Sequence, residues 1–322
     1  KEQKEAKPVD EAAQAKRAAS REKKVDAGIE ELRSWIKDVV RTGIMNVPQN
    51  SYQFNQNITA RMVDAQASGL ASQLRKINHI NFYKEGWQRA LIKKLASIYL
   101  LTEAYQHSDT LSQDMRKELQ TLIGWATSKE EVLQGNVVSD TWIVLSVTTT
   151  EDDNISTERI WLYGKMSNRF ALVLNFYAGN QLPQHLLIPG LHIAADIVYF
   201  PGVAPIRALI KESRTLPQTS IHIETTHSVV SVFHRITHLL AQNPFTEQIP
   251  FLLDNVQVIF QNGSWLLSDA DKQGCTIANP EDACWPMLAF THGKPCSCFG
   301  IYENEQFHIH TLWANHKTYF VK

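Results

Sequence analysis

Cysteine is scarce in this 322-residue chain: there are four, all after residue 270. That is too few for a disulfide framework, and the scarcity fits a reducing compartment, so a cytoplasmic location is expected. No apolar run approaches the roughly 18 residues needed to cross a bilayer, and the first residues are charged and Ala-rich with no apolar signal core. The sequence starts at Lys1 without Met, so further protein upstream is expected. Formal net charge is −1, which excludes a global electrostatic pull toward nucleic acid or membrane and leaves only local patches. No Gly-rich phosphate loop follows an apolar run, and there is no Gly-x-Ser-x-Gly elbow. These absences make an enzyme less expected without excluding one.

What is present is ample core: 43% hydrophobic residues and eight Trp, enough for two domains of ordinary size. Residues 1–24 carry eight basic and five acidic side chains and no apolar residue larger than Val9, and read as a solvated arm or exposed helix. From there the apolar period is helical. Ile29, Leu32, Ile36 and Val39 line one stripe, with Gly43 as a stop. A second helix is expected from Asn57 to Ile77, a third on Trp87, Leu91, Leu95, Ile98 and Leu101, and a fourth on Leu111, Met115, Leu119 and Ile123. Ser128 to Glu131 has the form of a capping box that opens a short fifth. After Gly135 the period changes to 2 and β-branched and aromatic residues take over, as in "TWIVLSVTTT", "RIWLYGK", "FALVLNFY" and "ADIVYFPG". Turn signals at 151–154, 178–183 and 201–205 separate these strands. A helix over 227–244 interrupts them, "VQVIFQNGSWLLS" carries an Asn-Gly hairpin cue, and the β pattern then runs to the C-terminus. The expected fold is α+β: an arm (1–24), a helical bundle (25–135) and a β-rich domain of antiparallel or mixed sheet (136–322).

The sharpest chemical signal is "CSCFGIYENEQFHIH" at 296–310. Cys296, Cys298, His308 and His310 are zinc-ligand types, yet spacing of two is also one face of a strand. With a three-residue turn at 303–305, Cys298 would lie opposite His310. A two-residue turn at Asn304 and Glu305 would put the two pairs on opposite faces. A structural hairpin without metal is the expectation, zinc the alternative. "HRITH" sets His234 and His238 one helical turn apart, but Arg235 stands where a metalloprotease needs its Glu base. "DADKQG" at 269–274 starts like a calcium loop but puts Pro280 where the bidentate Glu should be, and reads as a polar turn. Lys16, Arg17, Arg21, Lys23 and Lys24 form the one basic cluster; on a helix, 17, 21 and 24 align for phosphate contacts, or simply make a solvated face.

Several blocks resemble the region that follows the zinc finger in bacterial SWIM zinc-finger proteins: "AAQAKRAASREKKVDAGIEELRSWIKDVVRTGI" (12–44), "ARMVDAQASGLASQLRKI" (60–77), "VSDTWIVLS" (138–146), "YFPGVAPIRALI" (199–210) and "WPMLAFTHGKPCSCFGIY" (285–302). The resemblance spans most of the chain but carries no catalytic residue set. It implies a Cys-x-Cys, Cys-x-His zinc finger upstream of Lys1, no cofactor in this chain, and binding to DNA or protein. It also implies companions such as MoxR-type AAA+ ATPases and von Willebrand factor A proteins. Within these blocks Arg61, Asp64 and Arg207 read as structural ion pairs or as contacts to a partner or another domain. The expected function is a non-enzymatic binding or scaffold module for a protein partner or nucleic acid. The alternative is an enzyme with its site in an interdomain cleft built from Arg61, Asp64 and Arg207.

Overall fold

The computed structural model describes residues 11–50, 53–152, 155–178, 187–217 and 228–321. The first ten residues of the arm and the turn signals at 153–154 and 179–183 lie outside the described residues. The chain divides into two compact units, Lys1–Thr127 and Ser128–Lys322.

The first unit is helical. Helix α1 (Glu11–Thr42) is one continuous helix, so residues 11–24 form its opening turns. Its inner stripe of Val25, Ile29, Leu32 and Ile36 is buried, each side chain worth about 1.5–3 kcal/mol of transfer free energy. The run from Asn57 to Ile77, expected to be one helix, is instead broken. Helix α2 (Gln56–Asp64) ends, Gln66 adopts φ 62°, and α3 (Ser68–Arg75) restarts, with Ile77 in a 3-10 turn. The restarted helix packs closely: a Cβ on Gly69 would lie 2.1 Å from the Leu122 carbonyl oxygen, so α3 can meet α5 only with a bare backbone there. Helices α4 (Trp87–Gln106) and α5 (Gln113–Ile123) complete the bundle, and Ser112 caps α5 by accepting from the Met115 N–H. The α2–α3 pair thus counts as one bent member of a four-helix bundle.

The second unit opens with α6 (Lys129–Leu133), whose cap is Ser128 accepting from the Glu131 N–H at 3.1 Å. All strands among the described residues follow Gly135. β1 (Val137–Asp152), β2 (Ile155–Gly164), β3 (Phe170–Ala178), β4 (His192–Tyr199) and β5 (Arg207–Thr215) close into a barrel of order β1-β2-β3-β5-β4. β1 is long enough to serve both ends of the closure. Its first half pairs with β4 and its second half with β2, with a bulge between Val144 and Ser146 bending it. β3 and β5 run parallel. The result is a closed five-stranded barrel of mixed sheet. The interior is filled by Trp142, Val144, Ile160, Leu162, Ala171, Val173, Ile193 and Ile197.

Helix α7 (Val229–Gln242) then leads to β6 (Gln248–Gln261), β7 (Ser264–Ser268) and β8 (Gly274–Thr276), followed by α8 (Glu281–Thr291), β9 (Cys296–Glu303), β10 (Gln306–Ala314) and β11 (Lys317–Phe320). These six strands form one sheet of order β11-β10-β9-β6-β7-β8. The Asn262-Gly263 turn joins β6 to β7 with both residues at positive φ, as the hairpin cue anticipated. Helix α8 was not anticipated, since "WPMLAF" reads as strand. Its buried residues Cys284, Met287 and Thr291 fall at spacings of three and four, a helical period hidden by the Pro286 in its middle. One face of this sheet packs against α7 and α8 through Val232, Ile236, Phe251, Leu253, Met287 and Leu312. The other packs against the outside of the barrel through Leu252, Phe299, Ile301 and Trp313 on the sheet and Ile143, Leu145, Trp161 and Phe170 on the barrel. The Thr311 hydroxyl donates to the Leu145 carbonyl at 2.6 Å across that seam.

Candidate functional site

The hairpin at 296–310 turns on two residues, Asn304 and Glu305, with φ 51° and 64° and Glu303 paired to Gln306. A bulge follows between Ile309 and Thr311. Cys296 and Cys298 consequently point into the core shared with α7 and α8. His310 lies on the opposite, barrel-facing side, 6.0 Å from the Phe299 ring and with Nδ1 3.3 Å from Ser146 Oγ. The Cys and His pairs therefore cannot converge on one tetrahedral ion without dismantling the hairpin. Burial pushes the Cys275 and Cys296 thiols up to about 12 and Cys284 to about 11, and drives Cys298 well up, as for small apolar core residues. Burial, with His308 beside it, pulls His310 down to about 4.

The basic residues of α1 divide. Lys16, Arg17, Lys23 and Lys24 are exposed. Arg21 turns inward, donates to the carbonyls of Gly124 (2.8 Å) and Gln66 (3.1 Å), and lays its guanidinium 5.0 Å over the Trp125 ring. It clamps the two chain breaks of the bundle, the bend after α2 and the end of α5, and is spent on structure. Arg61 makes a bidentate pair with Glu31 of α1 at 2.6 and 2.8 Å, while Asp64, one turn on, is exposed. Arg33 pairs with Glu103 of α4 at 2.5 Å. The carboxyls of Glu31 and Glu103 are pushed down, first by the hydrogen bond from the arginine each accepts. "DADKQG" is a polar turn. Asp269 accepts from the N–H groups of Asp271 and Gln273 and, through Oδ2, from Val229 N at the start of α7.

A different cluster emerges at one end of the barrel, where the β2–β3 turn and the β4–β5 loop come together. Antiparallel β4 and β5 pair Tyr199 with Ala208, parallel β3 and β5 pair Leu172 with Arg207, and the Tyr199 hydroxyl donates to the Phe170 carbonyl. Around this rim three arginines lie over aromatic rings. Arg169 sits 3.9 Å over Tyr199, Arg207 4.3 Å over Phe200, and Arg235 of α7 4.9 Å over Phe170. Arg207 and Arg235 remain exposed and Arg169 is half-buried. Neighbouring atoms lower the guanidinium pKa of Arg207 and Arg235 by desolvation, but an arginine stays cationic at neutral pH. None of the three forms an ion pair among the described residues. Asp140, the nearby carboxylate, is occupied by the N–H groups of Thr141, Met166 and Ser167, which fold the β2–β3 turn. Sequence reasoning had picked out Arg207 alone. Arg235 stands out in the sequence only at the base position of "HRITH", and Arg169 gives no signal, because nothing local says that Tyr199 lies under it.

No membrane-spanning candidate occurs among the described residues, since no helix is long and apolar enough. Searches of curated proteins and of solved structures returned no significant match. Residues 20–123 match the family model of the SWIM-associated four-helix bundle domain. The match covers α1 from its tenth residue through α5, the four helical members described above. The match is consistent with a region of a SWIM-family protein C-terminal to its zinc finger.

Proposed function

We propose that this chain is a non-enzymatic binding module of a SWIM-type protein. The finger that holds zinc would lie upstream of the bundle, and the two units would offer surfaces to a protein partner. The supporting observation is what the reactive groups are used for. The four cysteines are buried with thiols raised by burial, His310 is lowered toward the neutral form, and Glu31 and Glu103 are lowered by structural arginines. Acid–base catalysis at neutral pH asks for the opposite, a carboxyl raised or a thiol lowered toward 7. Exposed cations lie on the outer side of α1 and at the barrel end, among other surface charges. A MoxR-type AAA+ ATPase or a von Willebrand factor A protein from the same genome is the partner expected from the SWIM setting. Calorimetric titration of the chain with each purified candidate tests the reading. Saturable binding at a defined stoichiometry supports it, and absence of heat with both, in ATP and ADP states, removes these partners.

A further inference from the structure

We propose that the arginine rim at the end of the barrel binds single-stranded nucleic acid, with bases stacked on the outer faces of the guanidinium planes of Arg169, Arg207 and Arg235. A guanidinium on an aromatic ring is held flat at little further entropic cost, because its partner already fixes the plane. Its other face is a platform for a base, and its N–H edge remains free for a phosphate oxygen. Three such planes at one barrel end, with Lys165 on the adjoining turn and Asp140 tied up by backbone N–H groups, suit a strand that supplies both flat rings and charge.

The barrel's general architecture does not carry this proposal. The β2–β3 face that oligonucleotide-binding barrels use is covered here by the second sheet, which buries Trp161 and Phe170. The end formed by the β2–β3 turn and β4–β5 loop carries the exposed Arg207. The surrounding unit opposes polyanions, because Ser128–Lys322 holds 12 basic and 18 acidic residues. Binding must therefore be local and salt-sensitive. Three phosphate contacts to a single strand give a log–log salt slope of about −2, or roughly a 20-fold loss of affinity between 50 and 200 mM salt.

The inference rests on the binding-module reading but has its own readout: loss of oligonucleotide binding leaves protein-partner binding standing, and the reverse also holds. The experiment is fluorescence anisotropy of the full 322-residue chain with a 15-residue oligothymidylate, an abasic phosphodiester of the same length, a 15-base-pair duplex and poly-glutamate. The expected result is tightest binding to oligothymidylate, with the slope above. Arg207→Gln should weaken it about tenfold. Combined Arg169→Lys, Arg207→Lys and Arg235→Lys should weaken it at least fivefold with the salt slope kept, because lysine retains charge but offers no plane. Circular dichroism checks each variant, and the exposed single change at Arg207 decides the matter where the triple variant does not fold. A chain lacking residues 1–15 should bind as well as the whole. The proposal is overturned by no binding at 50 mM salt or by equal binding of the abasic strand or duplex. It is also overturned by preference for poly-glutamate, by indifference to Arg207→Gln, or by loss of binding with residues 1–15.

Discussion

Replacing Arg21 by Ala separates two readings of the same side chain, a phosphate-binding cation and a structural clamp. The clamp makes two charge-assisted hydrogen bonds to carbonyls, at Gly124 and Gln66, and one cation–π contact with Trp125. Hydrogen bonds to charged groups contribute about 1.5–3 kcal/mol when shielded, and exposure at Gln66 reduces the pair to about 1.5–2 kcal/mol. The ring contact adds about 0.5–1 kcal/mol, and the better helix propensity of Ala returns a few tenths. A loss of about 2 kcal/mol follows. With a urea m-value of about 2 kcal/mol/M for a unit of this size, the midpoint of the helical transition at 222 nm should fall by about 1 M with m unchanged. Because the chain has two units, the helical transition must be fitted separately from the β transition. Arg21→Met keeps the stem over Trp125 and should recover part of the loss. The nearby Lys24→Ala, on the exposed side of the same helix, serves as the control and should move the midpoint by less than 0.2 M in this order-of-magnitude frame. If Arg21→Ala leaves the midpoint in place and instead weakens binding of a polyanion, the clamp argument fails and the phosphate reading returns.

Gly69→Ala should cost about 3 kcal/mol or more, since its Cβ would lie 2.1 Å from backbone oxygen that cannot yield. Gly300→Ala, whose Cβ would meet Phe251 at 2.3 Å, should cost about 1–3 kcal/mol in the second unit, and urea unfolding of each variant measures both. His310 has its folded value lowered from 6.5 to about 4, so the unfolded chain takes up the proton first as pH falls. Its contribution is intact above pH 6.5 and is lost between 6.5 and 4, by roughly 3 kcal/mol in all. His310→Gln should flatten the stability profile of the β unit across that window, and an unchanged profile would refute the assignment. All four cysteines should resist an aromatic disulfide reagent in native buffer and react once urea is added. Metal analysis of the purified chain should find no stoichiometric zinc that a Cys298→Ser change removes.

The α+β order of the chain was legible in its periodicity. Ile29, Leu32, Ile36 and the run from Leu91 to Leu101 repeat at helical spacing because one stripe faces a core. The strands after Gly135 alternate because one face of each is buried. Turn chemistry was legible at Asn262-Gly263 and at Ser128, where a single residue type meets a specific backbone need. At the 296–310 hairpin the sequence stated the alternatives but not the choice. A two-residue and a three-residue turn differ by one step of register, and that step decides whether sulfur and imidazole share a face. The helix around Pro286 and the inward turn of Arg21 were illegible, because each answers to a neighbour far away in the chain: the six-stranded sheet, and Gly124 with Trp125.

By itself, then, the sequence determined which segments are helix and which are strand, α8 and the break between α2 and α3 excepted, since the rest depend on spacings within a dozen residues. Residues 20–123 also carry the match to the SWIM-associated four-helix bundle model. Tertiary structure alone decided that five strands close into a barrel, because closure depends on β1 being shared between β2 and β4 through a bulge at 144–146. It alone assembled the arginine rim. Arg169, Arg207 and Arg235 come from a turn, a strand end and a helix as much as 66 residues apart, and no local pattern encodes a stacking partner supplied by the pairing of distant strands.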